Sequence, residues 1–321
     1  EDEGNSSYGT AVVGTVSGSS ITFGTPVVFN SGESAWVSIA FDSNSNKVVI
    51  AYSDAGNSQY GTAIVGTVSG TSISFGTAVV YTSAEANHKA DCITFDSSNN
   101  RVVIAYTLSS GTNRGNAIVG TVSGTDISFG TQVAFNANFS GHQTATFDTS
   151  NNKVVIVFQD SSNSDQGTAV VGTVDPSDNS ISFGSLAQFE TGNADFTAAT
   201  YDSNADRTVI AYSDSGNSSH GTAIVGTVSG TSISYGSAAV FESAQVSSVS
   251  ATFDSSNNKV VIAYRDHGNS DHGTAIVGTV SGTSISFGTA VVFNSATTTG
   301  VRCTFDSNSN KVFISFDEHS G

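Results

Sequence analysis

Apolar residues come in short bursts along this chain, and each burst is closed by small polar residues. One representative stretch reads VSIAFD (Val37–Asp42), the turn SNSN, then KVVIAYSD (Lys47–Asp54). A loop AGNSQY follows, then GTAIVGTV (Gly61–Val68), the turn SGT, and SISFGTAVVY (Ser72–Tyr81). Val, Ile, Phe, Tyr and Thr fill the bursts; Gly, Asn, Asp and Ser bound them, which is the signature of strands and turns. No stretch sustains the 3.6-residue period of an amphipathic helix. After its leading lysine, KVVIAY is apolar throughout, as a strand covered on both faces requires.

The pattern repeats. GTAVVGTVSG at Gly9 returns in close variants at Gly61, Gly115, Gly167, Gly221 and Gly273, at spacings of 52, 54, 52, 54 and 52 residues. Six units of about 53 residues result. The opening EDEGNSSYGT matches SDAGNSQYGT at Ser53–Thr62, and the closing ISFDEHSG matches the IAYSDAG before it. The sequence therefore runs from its end into its own beginning. Units of four strands with this punctuation are propeller blades. The expectation is an all-β, six-bladed β-propeller with four antiparallel strands per blade, in a single domain over residues 1–321. One composite blade would join residues 1–31 and 296–321, the N-terminal outer strands pairing with the C-terminal inner ones. Such pairing removes the open edges of a linear array. An open solenoid would want distinct end caps, and the sequence shows none.

Composition narrows the function classes. Ten Lys and Arg against 27 Asp and Glu give a net charge of −17. That excludes nucleic acid as a partner, since phosphate binding needs a basic stripe, and disfavours an anionic membrane surface. No apolar run is long enough for membrane insertion. Methionine is absent, position 1 included, so the chain reads as a mature secreted product or an excised domain. Cys92 and Cys303 fall in non-neighbouring units and read as two thiols rather than a bridge.

Recurrent polar residues read as scaffold. Asp42, Asp96, Asp148, Asp202, Asp254 and Asp306 each open a turn whose N–H groups a carboxylate can accept. A calcium ring would need six to eight oxygens, which one Asp per turn does not supply. Lys47, Arg101, Lys153, Arg207, Lys259 and Lys311 follow the turns and are expected to pair with a local acid. Gly14, Gly66 and Gly278, inside strands, mark bulges or close backbone approach.

Variation among the units has a face. The turns DSSNNK and VSGTS hardly change, apart from DPSDNS at Asp175–Ser180. The loops of the opposite face diverge: GESAWV, AEANHKAD, NFSGHQ, GNADFT, AQVSSV and ATTTGV before the inner strand, and SDAGNSQY, TLSSGTNR, QDSSNSDQ, SDSGNSSH and RDHGNSDH after the second. Loops on a rigid scaffold carry binding. The candidate ligand-binding residues are Trp36, His88, Lys89, Asp91, Arg114, His142, Asp195, Phe196, Arg265 and Arg302. An aromatic beside acids and amides suits a sugar, by stacking and hydrogen bonding; Trp36 or Phe196 could equally plug the channel mouth. His220 and His272 share a slot with Tyr8 and Tyr60, without a third zinc ligand.

The turn between the outer strands in VGTVSGTSISFGTAVV resembles that of sialidase-type Asp-box propellers, and SDAGNS resembles the start of an Asp box. It lacks the tryptophan and lies between the second and third strands. That resemblance implies three convergent arginines with a tyrosine–glutamate pair. Arg114, Arg265 and Arg302 supply the count, together with Lys89, but from different slots and with no such pair evident in the sequence. GTAIVGTVSGTSISFGTAVVF also resembles repeats in proteins of marine phages, bacteria and plankton, over nearly the whole chain. This implies an extracellular, cell-surface or virion-surface setting and no defined activity.

The resulting expectation is a non-enzymatic, lectin- or adhesin-like module binding glycans or another surface ligand. The recurrent D-x-G-N-S loop (Asp2, Asp54, Asp214, Asp266, partly Asp160) offers a degenerate repeated pocket, or one asymmetric site sits at the mouth. The alternatives are a self-associating structural module of a fibre or virion appendage, and a glycan-active hydrolase or lyase using Asp91, Glu85 or Asp195. Calcium is the one cofactor the rim acids suggest. Asn5, Asn138 and Asn217 begin glycosylation sequons.

Overall fold

A computed structural model describes residue 4 and residues 6–87, 92–109 and 114–319. The chain is all-β, its strands interrupted by single 3-10 turns such as Ala55–Asn57 and His267–Asn269. It forms two compact units, one of residues 1–145 and 172–183, the other of residues 146–171 and 184–321.

Within each unit the repeat is an antiparallel ladder. In the first, Lys47–Asp54 pairs on one side with Ser34–Asp42 and on the other with Tyr60–Gly66. In the second, Lys259–Asp266 pairs likewise with Val246–Asp254 and His272–Gly278. The outer stretch SISFGTAVVY is not one strand. Ser72–Phe75 and the strand from Val79 both pair with Tyr60–Ser69, each with one half of it. The break falls at Gly76, where an added Cβ would lie 2.0 Å from the carbonyl oxygen of Thr125 in the next repeat. Glycine is required there because the neighbouring hairpin's backbone occupies the space of a side chain.

The expected loop into the innermost strand is also absent in most repeats. Val27–Asp42 is one 16-residue strand, as are Ala187–Asp202, Ala239–Asp254 and Val291–Asp306. Each serves first as the outer edge of one repeat and then as the inner strand of the next. A bulge marks the changeover, where register shifts between Ala35 and Ser38, Asp195 and Ala198, Ser247 and Ser250, and Thr299 and Arg302. One extra residue there bends the strand and increases its twist, so no loop is needed.

The composite blade expected from the chain ends is not formed by these ladders. Tyr8–Ala11 pairs with Val27–Glu33, and Lys311–His319 pairs with Thr297–Asp306.

The core lies along the second strands. Tyr52, Tyr106, Tyr212 and Tyr264 are at most 1 % exposed, and each sits against an outer-strand aromatic: Phe29, Tyr81, Phe189 and Phe241, at 5.1–5.2 Å. Tilted and edge-on pairs at this distance add about 0.5–1.5 kcal/mol each beyond area burial. Turn aspartates accept backbone N–H groups as expected; Asp42 Oδ1 takes Asn44 N and Ser45 N at 2.9 and 3.0 Å. Because the carboxylates are so engaged, the following cations turn elsewhere. Arg101 donates to Asn179 Oδ1 at 2.6 Å and Pro176 O at 2.7 Å, Arg207 to Gly282 O at 3.0 Å, and Lys259 to Thr279 Oγ1 at 2.9 Å. These cations tie hairpin turns rather than pairing with a local acid. Cys92 and Cys303 remain thiols.

Candidate functional site

At the changeover, one residue in five of the six repeats stands in left-handed backbone; the sixth such position lies outside the described residues. The slot holds Trp36 (φ 54°), His142 (φ 47°), Phe196 (φ 50°), Ser248 (φ 50°) and Gly300 (φ 60°). Only glycine takes this conformation without steric cost, and a bulky side chain there is an outlier. Trp36 is nonetheless 47 % exposed and Phe196 37 %, so burial of the ring does not offset the strain. His142 is half-buried. Three of the sequence candidates thus share one structural position, a relation the varied loop sequences concealed.

The D-x-G-N-S segment folds as a 3-10 turn. Asp160 accepts Ser162 N at 3.2 Å and Ser162 Oγ at 2.7 Å. Asp214 accepts Asn217 N at 3.1 Å, and Asp266 accepts Gly268 N at 2.9 Å. Asp54 instead accepts Asn30 Nδ2 at 3.1 Å. Asp160, Asp214 and Asp266 thus hold their own turns, and Asp54 ties its turn to the adjoining strand; Asp2 lies outside the described residues. Gly56 and Gly216 pack on Gly32 and Gly192 of the adjoining strand, fixing the turn beside the bulge.

Two polar clusters flank the bulge in the second unit. Gln159 Nε2 donates to Asn193 Oδ1 and Asp195 Oδ1, both at 2.7 Å, while Ser215 Oγ reaches Asp195 Oδ2 at 3.2 Å. One repeat later, Ser247 Oγ lies 2.9 Å from His267 Nε2, His267 Nδ1 lies 2.6 Å from Asp271 Oδ1, and Arg265 Nη2 lies 2.7 Å from Asp271 Oδ2. The Arg265 hydrogen bond holds the Asp271 carboxyl below the usual carboxylate range. Gln159, Asn193, Ser215, Ser247, His267 and Asp271 were not singled out from sequence. The available signal is a cross-strand offset of 20 residues, shared by Asp195–Ser215, Ser247–His267 and Thr299–His319, the last pair at 2.8 Å.

The remaining candidates scatter. Arg114 is exposed, its carbonyl accepting Leu108 N at 3.0 Å. Arg302 lies just past the bulge, in register with Ser315, and donates to Val301 O at 2.8 Å. The three arginines occupy three different slots of the repeat, as their sequence contexts indicate. His88, Lys89 and Asp91 lie outside the described residues, as does Asn5. Among the described residues no group of three or more His, Cys, Asp or Glu could hold a metal ion, and no helix is long and apolar enough to cross a membrane.

Tyrosine–glutamate pairs, not evident in sequence, do occur. Tyr212 Oη donates to Glu190 Oε2 at 3.1 Å and Tyr264 Oη to Glu242 Oε2 at 3.3 Å. The partners come from adjoining strands 22 residues apart, which hides the pairing from a linear reading. Both tyrosines are 0 % exposed and belong to the core row above. Burial, then the nearby Glu190, raise the Asp214 carboxyl above its ordinary range, and burial with Glu242 does the same to Asp266. At the equivalent place in the first repeat the partner is Asn30, which donates to Asp54 instead of opposing it.

No protein-family model matches the chain, and no curated protein matches its sequence. Solved structures of similar fold include AofleA from Arthrobotrys oligospora and a variant of AofleA with three arginines changed to alanine. Both align with a TM-score of 0.50 over 88 % of this chain and 79 % of theirs, at 7 % and 9 % identity respectively. At that identity the likeness concerns the all-β fold.

Proposed function

We propose that the chain is a lectin-like binding module, taking glycans or another surface ligand through the bulge-bearing rim, in an extracellular, cell-surface or virion-surface setting. The observation that carries this reading is the strained bulge slot. Trp36 and Phe196 are held outward in left-handed backbone where Gly300 shows the unstrained choice. Strain at exposed aromatics points to use of the rings, and an exposed ring beside Asp195, Asn193 and Ser215 matches how proteins hold sugars.

The reading includes closure of the six repeats as a propeller. Ile39 is 59 % and Phe41 55 % exposed, whereas Ile93, Phe147 and Tyr201, at the same repeat positions, are at most 8 % exposed. The first inner strand lacks the preceding repeat that covers the others, and the circular sequence supplies one in residues 298–317. The arginines replaced in the AofleA variant stand at positions 97, 150 and 203 of that protein, 53 residues apart. That interval equals the repeat length here and supports a common repeat plan.

A glycan-array screen of the purified chain tests the binding reading, run with calcium and again with chelator. Specific binding that falls about tenfold or more in Trp36→Ala or Phe196→Ala is expected, about 1.4 kcal/mol per lost stacking contact. Binding that these changes leave untouched would place the site elsewhere; no binding in either condition would move the weight to a structural module. One observation favours that second reading: Val291, at 64 % exposed, and Phe316, at 37 %, leave apolar surface at the other end of the array. Concentration-dependent growth of mass in light scattering would then show a second copy covering it.

A further inference from the structure

We propose that Ser247, His267 and Asp271 form an ester-hydrolysing centre in the second unit. This goes beyond the binding role and departs from the expectation of a module without chemistry. The hydrogen bonds run in one line, Ser247 Oγ to His267 Nε2 at 2.9 Å and His267 Nδ1 to Asp271 Oδ1 at 2.6 Å. A carboxylate against Nδ1 fixes the proton on that nitrogen, which leaves Nε2 as the acceptor for the Ser247 hydroxyl proton. Asp271 is itself held by Arg265 at 2.7 Å through its other oxygen. Nucleophile, base and orienting acid thus stand in the order and spacing that nucleophilic catalysis requires. The side chains of His267 and Asp271 are 27 % and 32 % exposed, while the nucleophile Ser247 is buried at 8 %, beneath the open imidazole.

Two features separate this chain of bonds from an ordinary turn contact. The first is its singularity in the repeat. The four slots hold Ala35, Ser53, Ala55 and Gln59 in the first repeat, and Asp195, Ser213, Ser215 and Ser219 in the fourth. Only the fifth combines Ser, Arg, His and Asp, although no element of the fold needs them, since the other repeats form the same ladder without them. The second is the bulge. Ladder register runs Ser247 to Arg265 and then Ser250 to Ala263, so Ser248 and Val249 are left out of the ladder, with Ser248 at φ 50°. Backbone N–H groups outside a ladder and next to a nucleophile are of the kind that can stabilise a developing oxyanion.

The chemistry closes on these groups and water. Ser247 Oγ attacks the ester carbonyl carbon as its proton passes to His267 Nε2. The carbonyl π pair becomes the oxyanion. Collapse breaks the C–O bond to the alcohol, which leaves with the proton from Nε2. Water then attacks the acyl-serine, gives a proton to Nε2, and the carboxylic acid departs as Ser247 Oγ recovers that proton. Asp271 and Arg265 act as positioning residues. The charged groups around His267 are Asp271 and Arg265 across the loop and Asp266 next to it in sequence.

The test uses the intact chain with p-nitrophenyl acetate and, separately, a fluorophosphonate label read by mass spectrometry. Expected are turnover above buffer and label on Ser247, with kcat falling about 100-fold or more in Ser247→Ala and His267→Gln. Asp271→Asn should lower kcat comparably with KM little changed, and Asp271→Glu should restore most of it; a merely structural Asp271 would leave kcat in place in both variants. Circular dichroism of each variant confirms the fold. A folded wild-type chain with turnover no greater than Ser247→Ala, and no label at Ser247, would overturn the proposal whatever the glycan screen shows.

Discussion

Replacing Gly236 by alanine probes the contact that stacks one repeat on the next. An ideal Cβ there would lie 1.9 Å from the carbonyl oxygen of Thr283 and 2.9 Å from its carbon. A relaxed contact needs about 3.5 Å, so the two outer hairpins must part by about 1.5 Å. Overpacking of that order costs about 1–3 kcal/mol, offset by about 0.4–1 kcal/mol from the stiffer unfolded chain. The net loss of about 1–2 kcal/mol corresponds to a Tm about 2–3 °C lower for a chain of this size. Gly24, Gly76, Gly130 and Gly184 meet the next hairpin at 1.9–2.1 Å and should behave alike. Gly288, the sixth of the set, meets nothing closer than Val277 O at 3.8 Å. If the ends stay apart, Gly288→Ala should leave Tm unchanged or raise it by up to about 1 °C. If the six repeats close, the Gly288 Cβ would meet the backbone at Ser19, which holds the Thr283 position in the first copy, and the loss should equal that of Gly236→Ala. Thermal melts followed by circular dichroism decide between these. A Gly236→Ala chain as stable as wild type would refute the stacking argument itself.

Other perturbations follow from the same geometry. Glu242→Gln should raise Tm at pH 7, because Asp266 would then face an amide, as Asp54 faces Asn30, instead of a second carboxylate. The sign is that of an acid whose folded pKa is raised: ionisation weakens the fold, so the advantage of the variant should shrink as pH falls through the Asp266 pKa, checked by melts from pH 7 to pH 4. Asp306 behaves oppositely. Hydrogen bonds from Ser309 Oγ and the Asn308 and Ser309 N–H groups lower its pKa, so its contribution is present above the unfolded value and lost as pH falls through the folded one; Asp306→Asn should flatten that acid limb. Tyr201, which donates toward Ser150 Oγ at 2.6 Å and Asp206 Oδ1 at 2.7 Å, is pushed up to about 12, chiefly by burial. Its stabilisation is complete below the ordinary tyrosine range near 10 and lost as pH rises through about 12, so Tyr201→Phe should reduce the steepness of alkaline unfolding in urea titrations at pH 9 and 11.

The strands, the turns and the repeat were legible because each is a local signal: alternation, β-branched composition and an Asp at every turn act within a few residues. The continuity of Val27–Asp42 was not, because GESA looks like a loop by composition, and only the cross-strand ladder to Ser53 and Asp54 shows it extended. The same ladder explains how much of the rim could be read. Trp36 and Phe196 announced themselves as exposed-type aromatics among polar residues, yet their shared left-handed slot is a property of the bulge. Ser247 and His267 are 20 residues apart and touch only because the second strand folds back on the first, while Asp271 joins them through a 3-10 turn that ends at Asn269. A scaffold that repeats faithfully makes such groups findable afterwards. Once the offset of 20 is known, the sequence can be scanned for polar residues that meet across it. Asp195 with Ser215, Ser247 with His267 and Thr299 with His319 then stand out against Ala35 with Ala55, so divergence on this rim is paired across strands. Independent drift of exposed residues gives no reason for both members of a contact to become polar together, whereas a surface shaped for a ligand does.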